Sequence, residues 1–246
     1  MIDMRGIYHK EDFQEALEKF NQYHKHKVFK SSFLNMTSNK CPYCEVELPS
    51  RFSDRTFEYS IDHYRPKAYY PNLEFDYKNY VLMCNDCNNA YKNDIFLLYE
   101  NGEVVTQSNQ VDVNSTDDID DELPLIVNPI VDDIFEYFII RFKLTNKGKV
   151  LELYPKYSHG EDDFKYKKAI ETIRLLGLGE CEKFDTNRNI DICRVNLLKQ
   201  HFVKFYRFLQ LWQSNQTQVQ SMIDENKVKN YGFVEFITKN QYKVMI

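Results

Sequence analysis

The sequence is sparing with glycine and proline, seven of each in 246 residues, has one tryptophan, and shows no excess of positive charge. So little glycine and proline excludes a low-complexity or collagen-like chain. No stretch approaches the roughly 20 consecutive apolar residues of a membrane span. The opening Met-Ile-Asp-Met-Arg-Gly lacks the apolar core of a secretion signal, so the expected location is cytoplasmic. A formal net charge of −5 excludes a protein that coats nucleic acid by bulk electrostatics, and any such contact has to be local. Some of that negative charge is concentrated between Asp112 and Glu122. What the chain does have is 18 tyrosines and 18 phenylalanines, material for one substantial core or a small domain with a helical annex.

Six cysteines without a secretion signal point to metal binding or catalysis sooner than to disulfides, because the cytosol keeps thiols reduced. Cys181 and Cys193 stand alone and read as buried thiols. The other four form Cys41-Pro-Tyr-Cys44 and Cys84-Asn-Asp-Cys87, two knuckles of equal spacing that supply the four thiolates of a closed tetrahedral zinc site. The stretch between them, residues 45–83, is longer than the roughly 15 to 20 residues of a simple zinc ribbon. Something is inserted there. A thioredoxin-like redox pair is the competing use of one Cys-x-x-Cys, but two pairs without a βαβ pattern count against it.

The insertion contains Tyr59-Ser-Ile-Asp-His-Tyr-Arg-Pro-Lys67, a strand-like start that sets a carboxylate beside an imidazole. Neighbours on a strand face opposite ways, so Asp62 and His63 serve one site if the backbone bends between them, as Pro66 suggests. A second apolar strand, Tyr80 to Met83, feeds directly into the second knuckle. Asn85, Asp86, Asn88 and Asn89 suit a helix cap and first turn, which predicts a helix opening there.

Four regions follow from these patterns. Residues 1–40 are an N-terminal helical segment with Phe13, Leu17, Phe20 and Tyr23 at helical intervals; His24 and His26 at its end read as solvated. Residues 41–98 hold the chemistry, and residues 99–124 are an acidic surface loop. Residues 125–246 combine a small β-ribbon, turning near Asn146-Lys147-Gly148, with helices marked by Ile170, Ile173 and Leu176 and by Ile190, Cys193, Leu197, Phe205, Phe208 and Trp212. Gly177 and Gly179 mark a helix end, and Asp185 or Thr186 the next helix start.

Cys-x-x-Cys, Asp-His, Asn, and Cys-x-x-Cys-Asn with a following Lys, in that order, resemble the zinc-supported HNH endonucleases. The resemblance implies an α+β fold: a ββα-metal (His-Me finger) core with a four-cysteine zinc site, embedded in a mainly helical chain. It makes Asp62 the first ligand of a catalytic cation, His63 the general base, Asn79 the residue that braces the loop, and Asn88 the second ligand, with Asn89 as the alternative if the helix starts one residue later. A carboxylate and an amide carbonyl suit a hard cation such as Mg²⁺ or Mn²⁺. Arg65, Lys67 and Lys92 lie nearby as candidate phosphate contacts.

Ile61-Asp-His-Tyr-Arg-Pro-Lys67, Val127-Asn-Pro129 and Glu171-Thr-Ile-Arg-Leu-Leu-Gly-Leu178 with Asn187-Arg188 are similar to the defence-associated Septu-type PtuB family and its retron-linked relatives. That likeness implies an anti-phage nuclease acting on DNA, or on RNA, beside an AAA- or ABC-type ATPase partner. A non-catalytic zinc module that binds nucleic acid or protein, or an adaptor that has lost activity, would share the four cysteines but has no need of Asp62, His63, Asn79 and Asn88.

Overall fold

A computed structural model describes residues 1–48, 59–145, 148–179, 195–224, 232–239 and 242–244. Helix α1 (Glu11–Tyr23) buries Phe13, Ala16 and Phe20 and runs back into α2 (Lys30–Met36) through a 3₁₀ turn at His26–Phe29. Phe13 stacks on Phe29 with ring centroids 4.8 Å apart, and Phe20 and Phe29 both contact Tyr80. Tyr23 is exposed, so the apolar stripe of α1 ends one turn earlier than its periodicity suggests.

Strands β1 (Tyr59–His63) and β2 (Tyr80–Cys84) pair antiparallel, with Tyr59 opposite Cys84 and His63 opposite Tyr80. Every residue of β2 is buried, the mark of a strand covered on both faces. The chain then enters a π-helical turn, Asp86–Lys92, a geometry that recurs at functional sites. A helical segment thus opens inside the second knuckle.

The acidic region is more structured than a surface loop. It contains the hairpin β3 (Leu97–Glu100) and β4 (Glu103–Thr106), and a 3₁₀ turn at Thr116–Ile119 closed by a capping box between Ser115 and Asp118. Ile119 and Val113 anchor it in the core, while Glu122 and Asp117 reach back to cations of the segment between β1 and β2.

A short helix α3 (Ile134–Tyr137) leads into β5 (Phe138–Thr145), which pairs antiparallel with β6 (Gly148–Pro155). Leu125–Val127 is buried but forms no strand. Helix α4 (Asp163–Leu176) ends at Gly177, whose φ of 64° supplies the left-handed cap. Its core face is Ala169, Thr172, Ile173 and Leu176, and Ile170 is only half buried. A side chain at Gly179 would meet Ile173 at 2.5 Å, so glycine there serves close packing. Helices α5 (Val195–Ser214), α6 (Gln216–Asp224) and α7 (Gly232–Thr238) follow, and β7 (Tyr242–Val244) joins β5 in parallel. Cys181, Asp185, Thr186, Asn187, Arg188, Ile190 and Cys193 lie outside the described residues.

One apolar cluster runs from Met1 to Ile237 and includes Cys41, Cys44, Cys84 and Cys87, so the core crosses all four regions marked out in the sequence. Among the described residues no helix is long and apolar enough to cross a membrane.

Candidate functional site

The two knuckles meet. Cys41, Cys44, Cys84 and Cys87 are buried, and their sulfurs lie within 4.8 Å of one another. Cys41 Sγ is 3.7 Å from Cys87 Sγ, and Cys44 Sγ is 3.6 Å from Cys84 Sγ. Disulfide sulfurs would be about 2.05 Å apart. Four sulfurs at about 2.3 Å from one tetrahedral ion would be about 3.8 Å apart, so the observed spacing fits structural Zn²⁺. Burial pushes the Cys44 and Cys87 thiols well above their ordinary range, whereas hydrogen bonds from the other three sulfurs hold Cys84 low. Against the cost of burial, hydrogen bonds with Cys44 and Cys87 lower Cys41 as well, and a buried set with two favoured thiolates suits a cation. His201 of α5 ties the C-terminal helices to this centre, its Nε2 lying 2.8 Å from the Cys44 carbonyl.

The second group of polar residues is arranged around β1. Its pairing stays regular through Asp62, opposite Val81, and His63, opposite Tyr80. The bend expected between them is absent, and period two sends their side chains to opposite faces. On the Asp62 side, Asp62 Oδ2 pairs with Lys92 Nζ at 2.8 Å, and Ser60 Oγ accepts a hydrogen bond from Asn88 Nδ2 at 2.8 Å. Asn88 and Lys92, one turn apart on the π-helical segment, therefore cover the face that carries Ser60 and Asp62.

His63 faces the other way. Its Nε2 is 3.1 Å from the Glu74 carbonyl, which also accepts from the Tyr80 hydroxyl at 2.7 Å. A carbonyl only accepts, so in the neutral ring Nε2 carries the hydrogen and Nδ1 keeps its lone pair. The His26 ring centroid lies 6.3 Å from that of His63. Far from being fully solvated, His26 is half buried, and desolvation, followed by the neighbouring His63, lowers its pKa.

Asn79 is 1% exposed and works as a clip. Its Oδ1 accepts from the Arg65 N–H at 2.8 Å, its Nδ2 donates to the Arg65 carbonyl at 3.0 Å, and its own carbonyl accepts from the Tyr64 N–H at 2.7 Å. The loop leaving β1 is thus fixed to the start of β2. Asn79→Ala is expected to lower the stability of the protein by about 1–3 kcal/mol, because Arg65 would lose both partners in a buried place. Chemical denaturation measures it, and an unchanged midpoint would remove the clip.

The three candidate phosphate contacts diverge. Arg65 turns inward: Nε meets Glu122 at 3.0 Å, and the guanidinium lies among the rings of Tyr64, Tyr70 and Phe96. Lys92 is buried against Asp62, which is at odds with a surface contact to phosphate. Lys67 alone of the three is exposed, 3.5 Å from Glu74. Ser60 and Glu74 went unread in the sequence. Ser60 was within reach, being two residues before Asp62 on the same strand face; Glu74 meets His63 through its backbone carbonyl, which leaves no side-chain signal.

A buried four-cysteine cluster spaced for a metal ion, beside a two-stranded ribbon and a helical turn, with a carboxylate, an imidazole and two asparagines on or next to them, defines the class of site. The chain is similar to the Septu protein PtuB of Bacillus thuringiensis, 36% identical over 76 residues, which cover 30% of this chain and 28% of that protein. No family model and no solved structure matches the sequence.

Proposed function

We propose that the protein is a metal-dependent HNH endonuclease with a ββα-metal core formed by β1, β2 and the Asp86–Lys92 turn. The observation that carries the reading is the distribution of groups around β1: oxygen donors of Asp62 and Asn88 on one side, and on the other an imidazole whose Nδ1 is left as a base. Asn88 spends its amide N–H on Ser60, and among the described residues its Oδ1 meets no donor, so the donor set fits Mg²⁺ or Mn²⁺. A divalent cation bound there would supply Lewis-acid stabilisation of the phosphoryl oxygens and the departing alkoxide.

The chain's own residues do the rest. His63 is the general base of this reading, its ring held at Nε2 by the Glu74 carbonyl. Because Asp62 and His63 leave β1 on opposite faces, the reaction requires the strand end at His63 to turn so that Nδ1 faces the water at the Asp62 side. Asn79 keeps the loop after His63 from shifting, which preserves that alignment. Lys67 is the exposed cation available to a phosphate, whereas Arg65 serves the loop by holding Glu122. Because net charge is −5, the nucleic acid, DNA in the first instance and RNA in the second, is held with the help of a partner. The likeness to a Septu protein supports placing the nuclease in anti-phage defence, and the partner proposed is an AAA- or ABC-type ATPase.

A non-catalytic zinc module is the second reading, favoured by the ion pair that already neutralises Asp62. Incubating the zinc-loaded protein and its Asp62→Asn variant with plasmid DNA and with single-stranded RNA in Mg²⁺ or Mn²⁺ separates the two. Nicking by the wild type, reduced at least a hundredfold in the variant, is expected. Equal activity in both would sink the assignment of Asp62.

A further inference from the structure

Lys92 is the charged group that the reaction above leaves without a task. Its side chain is 1% exposed, and its ammonium makes three contacts: an ion pair with Asp62 Oδ2 at 2.8 Å, and hydrogen bonds donated to the His63 carbonyl at 3.0 Å and the Asn93 carbonyl at 3.4 Å. A buried ammonium is tolerated when it is paired with an opposite charge and its remaining N–H groups are hydrogen-bonded. The backbone pays for this arrangement, since Asn93 adopts φ 46° and ψ −133°, a conformation a residue with a side chain rarely holds. Two of the three contacts are to the Asp62-His63 pair. Asp62 Oδ2 is sealed from solvent and has the Lys92 ion pair but no hydrogen bond, although the Asp62 side chain as a whole keeps 14% exposure.

We propose that Lys92 is a positioning residue that makes Asp62 a one-oxygen ligand. By holding Oδ2 on the protein side it leaves Oδ1 to a cation, and by holding the His63 carbonyl it ties the strand end that carries the base to the helical turn that carries Asn88. The consequence is ion selectivity. Ca²⁺ gathers 6 to 8 oxygens and accepts bidentate carboxylates, whereas Mg²⁺ and Mn²⁺ suit a tight octahedron with single-oxygen carboxylate ligands. A carboxylate with one oxygen locked discriminates against Ca²⁺.

This rests on the reading of Asp62 as a metal ligand, and the test keeps the two apart. Mn²⁺ binding to the zinc-loaded full chain is followed by the electron paramagnetic resonance of free Mn²⁺, with Ca²⁺ as competitor, for wild type, Asp62→Asn and Lys92→Met. The expected result is Mn²⁺ affinity at least tenfold weaker in Lys92→Met, with preference for Mn²⁺ over Ca²⁺ reduced, while zinc stays at wild-type content. Affinity unchanged or tighter in Lys92→Met, when Asp62→Asn has lost binding, overturns the proposal and leaves the nuclease reading standing. No binding by the wild type overturns both. Should Lys92→Met fail to hold zinc and fold, the side-chain ¹⁵N spectrum of wild-type lysines decides. The Lys92 ammonium signal, assigned through its contact with the His63 backbone, is expected to persist in saturating Mg²⁺; its loss would mean that the cation displaces Lys92 and would end the proposal.

Discussion

Removing the zinc is expected to unfold the protein. Purified chain should contain about one zinc, and a strong chelator, or Cys84→Ser, should abolish the cooperative thermal transition. The reason is one of magnitudes. Structural Zn²⁺ contributes about 10–16 kcal/mol in zinc-finger peptides, while whole domains are stable by only about 5–15 kcal/mol. Cys41 and Cys44 come from the loop after α2, Cys84 ends β2 and Cys87 lies in the helical turn, so the ion joins three segments that meet inside one core. Without it, four sulfurs at 3.6–3.7 Å and wider spacings would be left in a buried place with weak hydrogen bonds between them. Zinc analysis with calorimetry, with and without chelator, checks this. An apoprotein melting within a few degrees of the holoprotein would mean that the four cysteines pack without metal.

The zinc frame was legible in the sequence because paired Cys-x-x-Cys knuckles have few other uses, and β1 and β2 were legible because Tyr59-Ser-Ile-Asp-His and Tyr-Val-Leu-Met-Cys84 have the composition of strands. Direction was not legible. Arg65 is near Asp62 in sequence and Lys92 is beside it in space, yet which way a cation faces depends on the carboxylate it meets from elsewhere in the chain: Glu122, 57 residues from Arg65, and Asp62, on β1, for Lys92. The acidic segment read as a loop because its anchoring residues, Val113 and Ile119, are too few to make a period. His26 looked solvated for a similar reason, since nothing local predicts that the turn between α1 and α2 lies against Tyr80 and His63. Even the expected bend between Asp62 and His63 answered a real constraint, that adjacent strand residues diverge. The fold keeps the divergence and brings groups to each face of β1.

That divergence makes His63→Ala the most informative single substitution. The cleavage rate is expected to fall by about 10²–10⁴, the usual contribution of one general base. The fold should survive, because the lost side chain is half buried and makes one hydrogen bond, and because the Glu74 carbonyl it leaves keeps the Tyr80 hydroxyl at 2.7 Å. The zinc centre lies at the other end of β1, beside Tyr59, whose partner across the ribbon is Cys84. Zinc content and melting temperature should therefore match the wild type while activity does not. Retention of more than about a tenth of the rate would take the base away from His63, and the imidazole next in line is His26, whose ring centre is 6.3 Å away and whose lowered pKa keeps it neutral and able to accept a proton. The double variant His26→Ala/His63→Ala then decides. If His63 is the base, adding His26→Ala to it costs little; if activity had moved to His26, the second substitution removes what the first left.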